Sequence, residues 1–211
     1  MPRPTAKTFF TAEEQQRIEA AVQAAEKKTS GEIVPMVVDA AFDYPRAEIF
    51  GGGFFSLGTA VLCSWWFGHS SVWVFLPIFL AGYLPCKWLI RALPALKRRF
   101  IPQQVLAEEV EEKALVAFLE HGLHATRDQT GILILLSLFE RRVHVLADRG
   151  INARVDKATW DEIVDSVTSG IRAGRACDSL CAAVARCGEL LQKDFPRKAD
   201  DTDELPNLIL D

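Results

Sequence analysis

The sequence predicts an α/β domain interrupted by a two-helix transmembrane hairpin. Three features carry this reading. Residues 49–86 are a run of 38 without Asp, Glu, Lys or Arg, bounded by Glu48 and Lys87. Residues 131–138 are almost wholly apolar but only strand-length, followed by an alternating stretch. Several amphipathic helical patterns flank these strands. Without the hairpin, the 211-residue chain holds enough material for one ordinary α/β domain, not two.

The uncharged run is long enough for two crossings, each needing about 20 apolar residues. It divides at the polar cluster Gly68-His69-Ser70-Ser71, giving spans 49–67 and 72–90. A buried hairpin in a soluble core is the alternative, but core helices keep a polar face and these have none. Trp65, Trp66 and Trp73 flank the turn, where an interfacial aromatic belt lies. Pro77, Gly82 and Pro85 are tolerated in membrane helices. Cations follow the second span and none lies in the turn. The positive-inside rule then places both outer ends in the cytoplasm and the turn outside. Residues 1–12 carry charges and no apolar core, so no signal peptide is expected. The expected location is the inner membrane, with two spans and a cytoplasmic soluble domain.

From the start, Thr11-Ala-Glu-Glu14 reads as a capping box. Ile18, Val22 and Ala25 continue that helix, and Gly31 is expected to end it. Residues 32–39 form a strand, and Pro35, lacking a donor, places it at an edge or a bulge. In residues 87–101, Trp88, Leu89, Leu93 and Leu96 alternate with Lys87, Arg91, Lys97, Arg98 and Arg99. That pattern predicts an interfacial helix whose cations meet lipid headgroups. Residues 103–127 predict the longest soluble helix, with Val105, Leu106, Val110, Leu115, Phe118, Leu119 and Leu123 on its apolar side. Its Glu108, Glu109, Glu111 and Glu112 read as a solvated face. Residues 131–138 suit a central strand covered on both faces. Residues 143–148 give a second strand, antiparallel because the turn is short. Two closing helices run over 157–173 and from 178, with Gly174 between them. An acidic tail, 196–211, ends in the apolar stretch Leu205-Pro206-Asn207-Leu208-Ile209-Leu210. The organisation is therefore 1–45 and 102–195 as one domain split in sequence, 46–101 as hairpin and basic helix, and the tail.

Net charge is −4, and no basic–aromatic pattern suits nucleic acid. Cys63, Cys86, Cys177, Cys181 and Cys187 show no zinc-ligand spacing and read as small buried thiols.

The segment from Thr130 to Ile151, TGILILLSLFERRVHVLADRGI, resembles the TPM-domain family. Thr29-Ser-Gly-Glu-Ile-Val34, Trp160 and the two closing helices fit it too. The likeness extends to a bacterial branch in which a membrane hairpin interrupts the domain and a stretch like Asp203-Glu204-Leu205-Pro206 lies near the C-terminus. The resemblance implies an α/β/α sandwich around a small mixed sheet. It also implies acid phosphatase activity or divalent-ion binding in some members. Soluble members carry two adjacent acids at the strand–strand turn. Here those positions read Phe139-Glu140, so one acid is absent.

The residues themselves give little support for phosphoryl transfer. A cysteine-phosphatase loop needs five residues between Cys and Arg, and Cys181 and Arg186 have four. Asp201-Thr-Asp203 is half of an aspartyl-phosphate motif, without an apolar strand before it and with Leu205 in place of Thr or Val. His121 and His124, three apart on the long helix, could meet one metal ion; the alternative is two exposed histidines, or one packing at the helix end. The best carboxylate set is Glu32, Glu140 and Asp148. Convergent, it would make a shallow acidic site for a divalent cation such as calcium or magnesium. Otherwise Glu140 pairs with a nearby Arg and Asp148 bonds turn amides. The expected function is a membrane-anchored interaction or assembly module whose partners are the bilayer and another membrane protein. The alternative is a weak divalent-metal-dependent phosphatase using Glu32, Glu140 and Asp148.

Overall fold

The computed structural model describes residues 5–67, 71–126, 129–197 and 205–211. Most of the expected turn at 68–71, Arg127 and the motif residues 201–204 therefore lie outside the described residues. In chain order the elements are α1 (Ala6–Phe9), α2 (Ala12–Glu26), β1 (Glu32–Val38), α3 (Pro45–Trp66), α4 (Val72–Ala92), α5 (Pro94–Arg99) and α6 (Gln103–Glu120). A 3-10 turn (Leu123–Ala125), β2 (Gly131–Ser137), β3 (Arg142–Ala147), α7 (Arg149–Asn152), α8 (Lys157–Arg172), α9 (Ala176–Asp194) and β4 (Ile209–Leu210) follow. The chain forms two compact units, one from residues 1–41 with 107–211 and one from residues 42–106.

The first unit is an α/β/α domain on a four-stranded mixed sheet of order β3-β2-β1-β4. β1 runs parallel to β2 and β4, and β3 is antiparallel to β2. All seven residues of β2 are buried, as the unbroken apolar run requires. Successive side chains point to opposite faces of the sheet. Ile33, Val37, Ile132, Ile134 and Leu136 therefore join α2, α8 and α9 in one core. Val34, Met36, Val38, Leu133 and Leu135 join Val110, Ala114, Ala117 and Phe118 of α6 in the other. Thr11 and Glu14 make the expected capping box.

Several boundaries differ from expectation, each for a physical reason. β1 is not an edge strand, because the C-terminal residues add β4 beside Met36 and Val37. β4 pairs only with Met36 and Val37, so Pro35, which has no donor to give, lies just outside that ladder. One step earlier on that side, the Ile33 amide donates to Glu26 Oε1 at 2.9 Å. α2 ends at Lys27 rather than Gly31. Gly31 is small because a Cβ there would lie 2.6 Å from Leu191 Cδ1. α6 stops at Glu120 because Gly122 adopts φ 75°, outside the helical region. Its inner stripe includes the small Ala114 and Ala117, which leaves Leu115 and Leu119 on the outside.

In the second unit α3 and α4 are each long and apolar enough to cross a membrane. They pack through small residues. A Cβ on Gly52 would lie 2.9 Å from Lys87 Cα, and Ser56 Oγ donates to Phe79 O at 2.5 Å. Ser56 and Ala60 are fully buried. The spacing Gly52-x-x-x-Ser56-x-x-x-Ala60 is the close-approach pattern of membrane helices, and the composition reading overlooked it. Phe50, Phe54, Leu62, Trp65, Trp66, Trp73 and Leu84 point outward instead. Pro77 and Pro85 lie inside α4 without ending it. The expected single basic helix is two pieces: α4 carries Lys87, Trp88 and Arg91, and Pro94 starts α5 with Lys97, Arg98 and Arg99.

Candidate functional site

Glu140 sits in the β2–β3 turn, which Arg141 closes with φ 52°. It is fully buried. Its Oε1 accepts from the Ala41 amide at 3.1 Å, and its Oε2 accepts from the Ser137 hydroxyl. The Phe139 amide donates to Asp39 O at 2.9 Å. A buried carboxylate held by local donors thus ties the exit of β1 to this turn. Nearby on α6, Glu109 is pushed above the ordinary carboxylate range, first by burial and then by Glu112, Glu108 and Glu140.

Asp148 and Glu32 lie at the other end of the sheet. Asp148 is the N-cap of α7: its Oδ1 accepts from the Arg149 amide at 2.6 Å and its carbonyl from Ile151 and Asn152. Its backbone amide donates to Gly131 O, which fixes it at the exit of β3. Glu32, opposite Gly131, is buried. It lines a cleft of about 200 Å³ with Gln23, Glu26, Lys27, Thr29, Gly31 and Arg197.

The three carboxylates therefore do not form one site. Glu140 is a full strand from the other two, about 20 Å at the usual rise per residue. Glu32 and Asp148 share an end but are two strands apart, about 10 Å of backbone, and Asp148 does not line the cleft. One acid in a strand–strand turn and one just after the second strand must sit at opposite ends of that strand. Among the described residues no three His, Cys, Asp or Glu side chains are grouped as a metal ion needs. The acidic set does not fit calcium or magnesium, which require several convergent oxygens.

The remaining sequence candidates fall elsewhere. His121 follows the end of α6 and His124 lies in the 3-10 turn beyond Gly122, so they do not share a helix face. Cys181 and Arg186 are both inside α9, not on a phosphate-binding loop. Burial pushes the Cys177 thiol up to about 11 and Cys187 up to about 12. The Cys177 and Cys181 thiols point at the Glu14 and Arg17 carbonyls of α2. Of the interface cations, Arg91 and Arg99 are exposed and Lys87 and Arg98 are half-buried. Lys97 pairs with Glu48 at 2.7 Å and donates to Asp43 O. Sequence reading missed Glu26 and Arg197 in the cleft. Glu26 carried a signal, since it is the last residue of α2 and lies a few positions ahead of β1.

Residues 101–190 match the family model described as the TPM domain. Over that stretch the chain is similar to the TPM domain. The match begins directly after the hairpin and covers α6 to most of α9, while β1, upstream of the hairpin, completes the same sheet. The compact unit that holds most of the matched residues is thus split in sequence by residues 42–106. The NMR structure of the BA42 protein from the psychrophilic bacterium Bizionia argentinensis aligns over 95% of this chain and 94% of its own, with TM-score 0.57 and 24% identity, a likeness of fold. Comparison with curated proteins gives no match.

Proposed function

We propose that this is a membrane-anchored TPM-domain protein, held in the inner membrane by α3 and α4, whose domain acts on the cytoplasmic side. There it binds or assists another membrane protein. One observation carries the anchor. The large apolar side chains of the hairpin point outward while Gly52, Ser56 and Ala60 fill its inside. A bilayer satisfies that arrangement and water does not. Arg91 and Arg99 after α4, with no Lys or Arg between the spans, support a cytoplasmic domain. The separation of Glu140 from Glu32 and Asp148 favours an interaction role over phosphohydrolysis, which needs metals or cations around an activated nucleophile.

The test uses photo-crosslinking side chains placed over the exposed surface of the TPM domain in the full-length protein, in cells. The expected result is recovery with the membrane fraction after alkaline extraction and crosslinks to a membrane protein. Crosslinks absent from every position would contradict the interaction role. So would a metal-dependent phosphatase rate lost in Glu32→Gln, Glu140→Gln and Asp148→Asn alike.

A further inference from the structure

Leu115, Val116 and Leu119 of α6 are 52%, 40% and 50% exposed. Outside residues 42–106 they are the only large apolar side chains exposed among the described residues. All three lie on one face, because residues three and four apart on a helix are neighbours. Two rows run along that face, Glu108–Glu112–Val116 and Glu111–Leu115–Leu119, each passing from acid to aliphatic. Glu108, Glu111 and Glu112 are exposed. Lys113, the sole cation in the α6 sequence, is turned to Asp211 at 3.4 Å. Helix-dipole stabilisation does not explain Glu111 and Glu112, since that effect fades beyond the first turn. The face is therefore a contiguous apolar patch with an unbalanced negative field beside it.

We infer that this face of α6 docks a basic amphipathic helix of a partner protein, whose aliphatic ridge covers Leu115, Val116 and Leu119 while its Lys or Arg residues meet Glu108, Glu111 and Glu112. The inference rests on the interaction role above and names its surface. The acidic rows repel anionic lipid headgroups, so a lipid surface is the wrong occupant. A basic helix matches both halves of the face at once.

The test uses full-length protein in neutral-lipid nanodiscs. The probes are a labelled amphipathic helix of Leu and Lys and its Leu and Glu counterpart. The Lys helix binds, and the Leu115→Ser/Leu119→Ser double variant weakens it by about tenfold or more. The Glu108→Gln/Glu111→Gln/Glu112→Gln variant flattens the salt dependence of binding. Equal binding of both helices, or binding that ignores both variants, overturns the proposal. So does vesicle binding to anionic lipid that depends on Leu115 and Leu119, or self-association that those substitutions abolish. In cells, crosslinks from Glu162 on α8 but none from Leu119 would overturn this surface and leave the interaction role standing. Absence of crosslinks from Leu119 and from every other surface position alike would overturn both.

Discussion

The α/β domain and the hairpin use similar apolar residues and sort them in opposite directions. In the domain, Leu133, Leu135 and Leu136 are buried and Glu108, Glu111 and Glu112 of α6 face out. In the hairpin, Trp65, Trp73 and Leu84 face out and glycine, serine and alanine fill the contact. The domain gains its stability by removing large side chains from water. The hairpin gains nothing that way, so its helices approach through small residues and leave the large ones to the surrounding medium. The same residue type therefore has opposite meanings in the two regions, and substitutions can read out which solvent each region sees.

The largest expected effect is in the domain. Leu135→Asp places a carboxylate between the sheet and α6 with no partner. It should cost several kcal/mol, comparable to a whole stability margin of about 5–15 kcal/mol. Accumulation of the variant, followed against wild type by quantitative immunoblot, should collapse. Normal accumulation would mean that β2 is not central.

The same change in the hairpin sharpens the contrast. Leu80, in the middle of α4, is 60% exposed. If α4 crosses a bilayer, Leu80→Asp should cost about 2.5–3.5 kcal/mol of insertion. If α4 meets water, an exposed substitution of this kind stays within about 0.5 kcal/mol. An insertion assay with a glycosylation reporter separates the two, and unchanged insertion would place α4 in water.

A smaller effect concerns His144 on β3. Burial holds its pKa below the ordinary 6.5, with Glu111 pulling the other way. The folded state therefore keeps it neutral while the unfolded chain protonates it. Stability from this group is complete above about 6.5 and declines as pH falls below it. The wild-type melting temperature should drop on acidification through this range, and His144→Gln should flatten part of that drop. An unchanged profile would show that β3 does not bury this ring.

Much of the fold was legible because its signals are local. The capping box at Thr11 and Glu14, the unbroken apolar run of β2 and the tight turn into β3 each follow from a few adjacent residues. The two spans follow from composition alone. What was missed depends on contacts distant in sequence. β4 is two residues near the end of an acidic tail, and only the open edge of β1 gives them a role. Gly31 looked like a helix stop because its close neighbour, Leu191, is 160 positions away. The outer face of α6 was misassigned because a 3.6-residue pattern with Leu at 115 and 119 and Ala at 114 and 117 fits two orientations. Neighbouring strands decide between them. The acidic residues differ: Glu140 in the β2–β3 turn and Asp148 after β3 lie at opposite ends of one strand, so nearness to strand ends in sequence does not bring them together.

The most direct test of the account is the sidedness of Ser71, which caps the start of α4 with its side chain accepting from the Trp73 amide. In a background without the five native cysteines, Ser71→Cys is exposed to a membrane-impermeant maleimide added to intact cells. The account predicts labelling from outside, with both ends of the hairpin in the cytoplasm. Labelling only after the membrane is opened would contradict it.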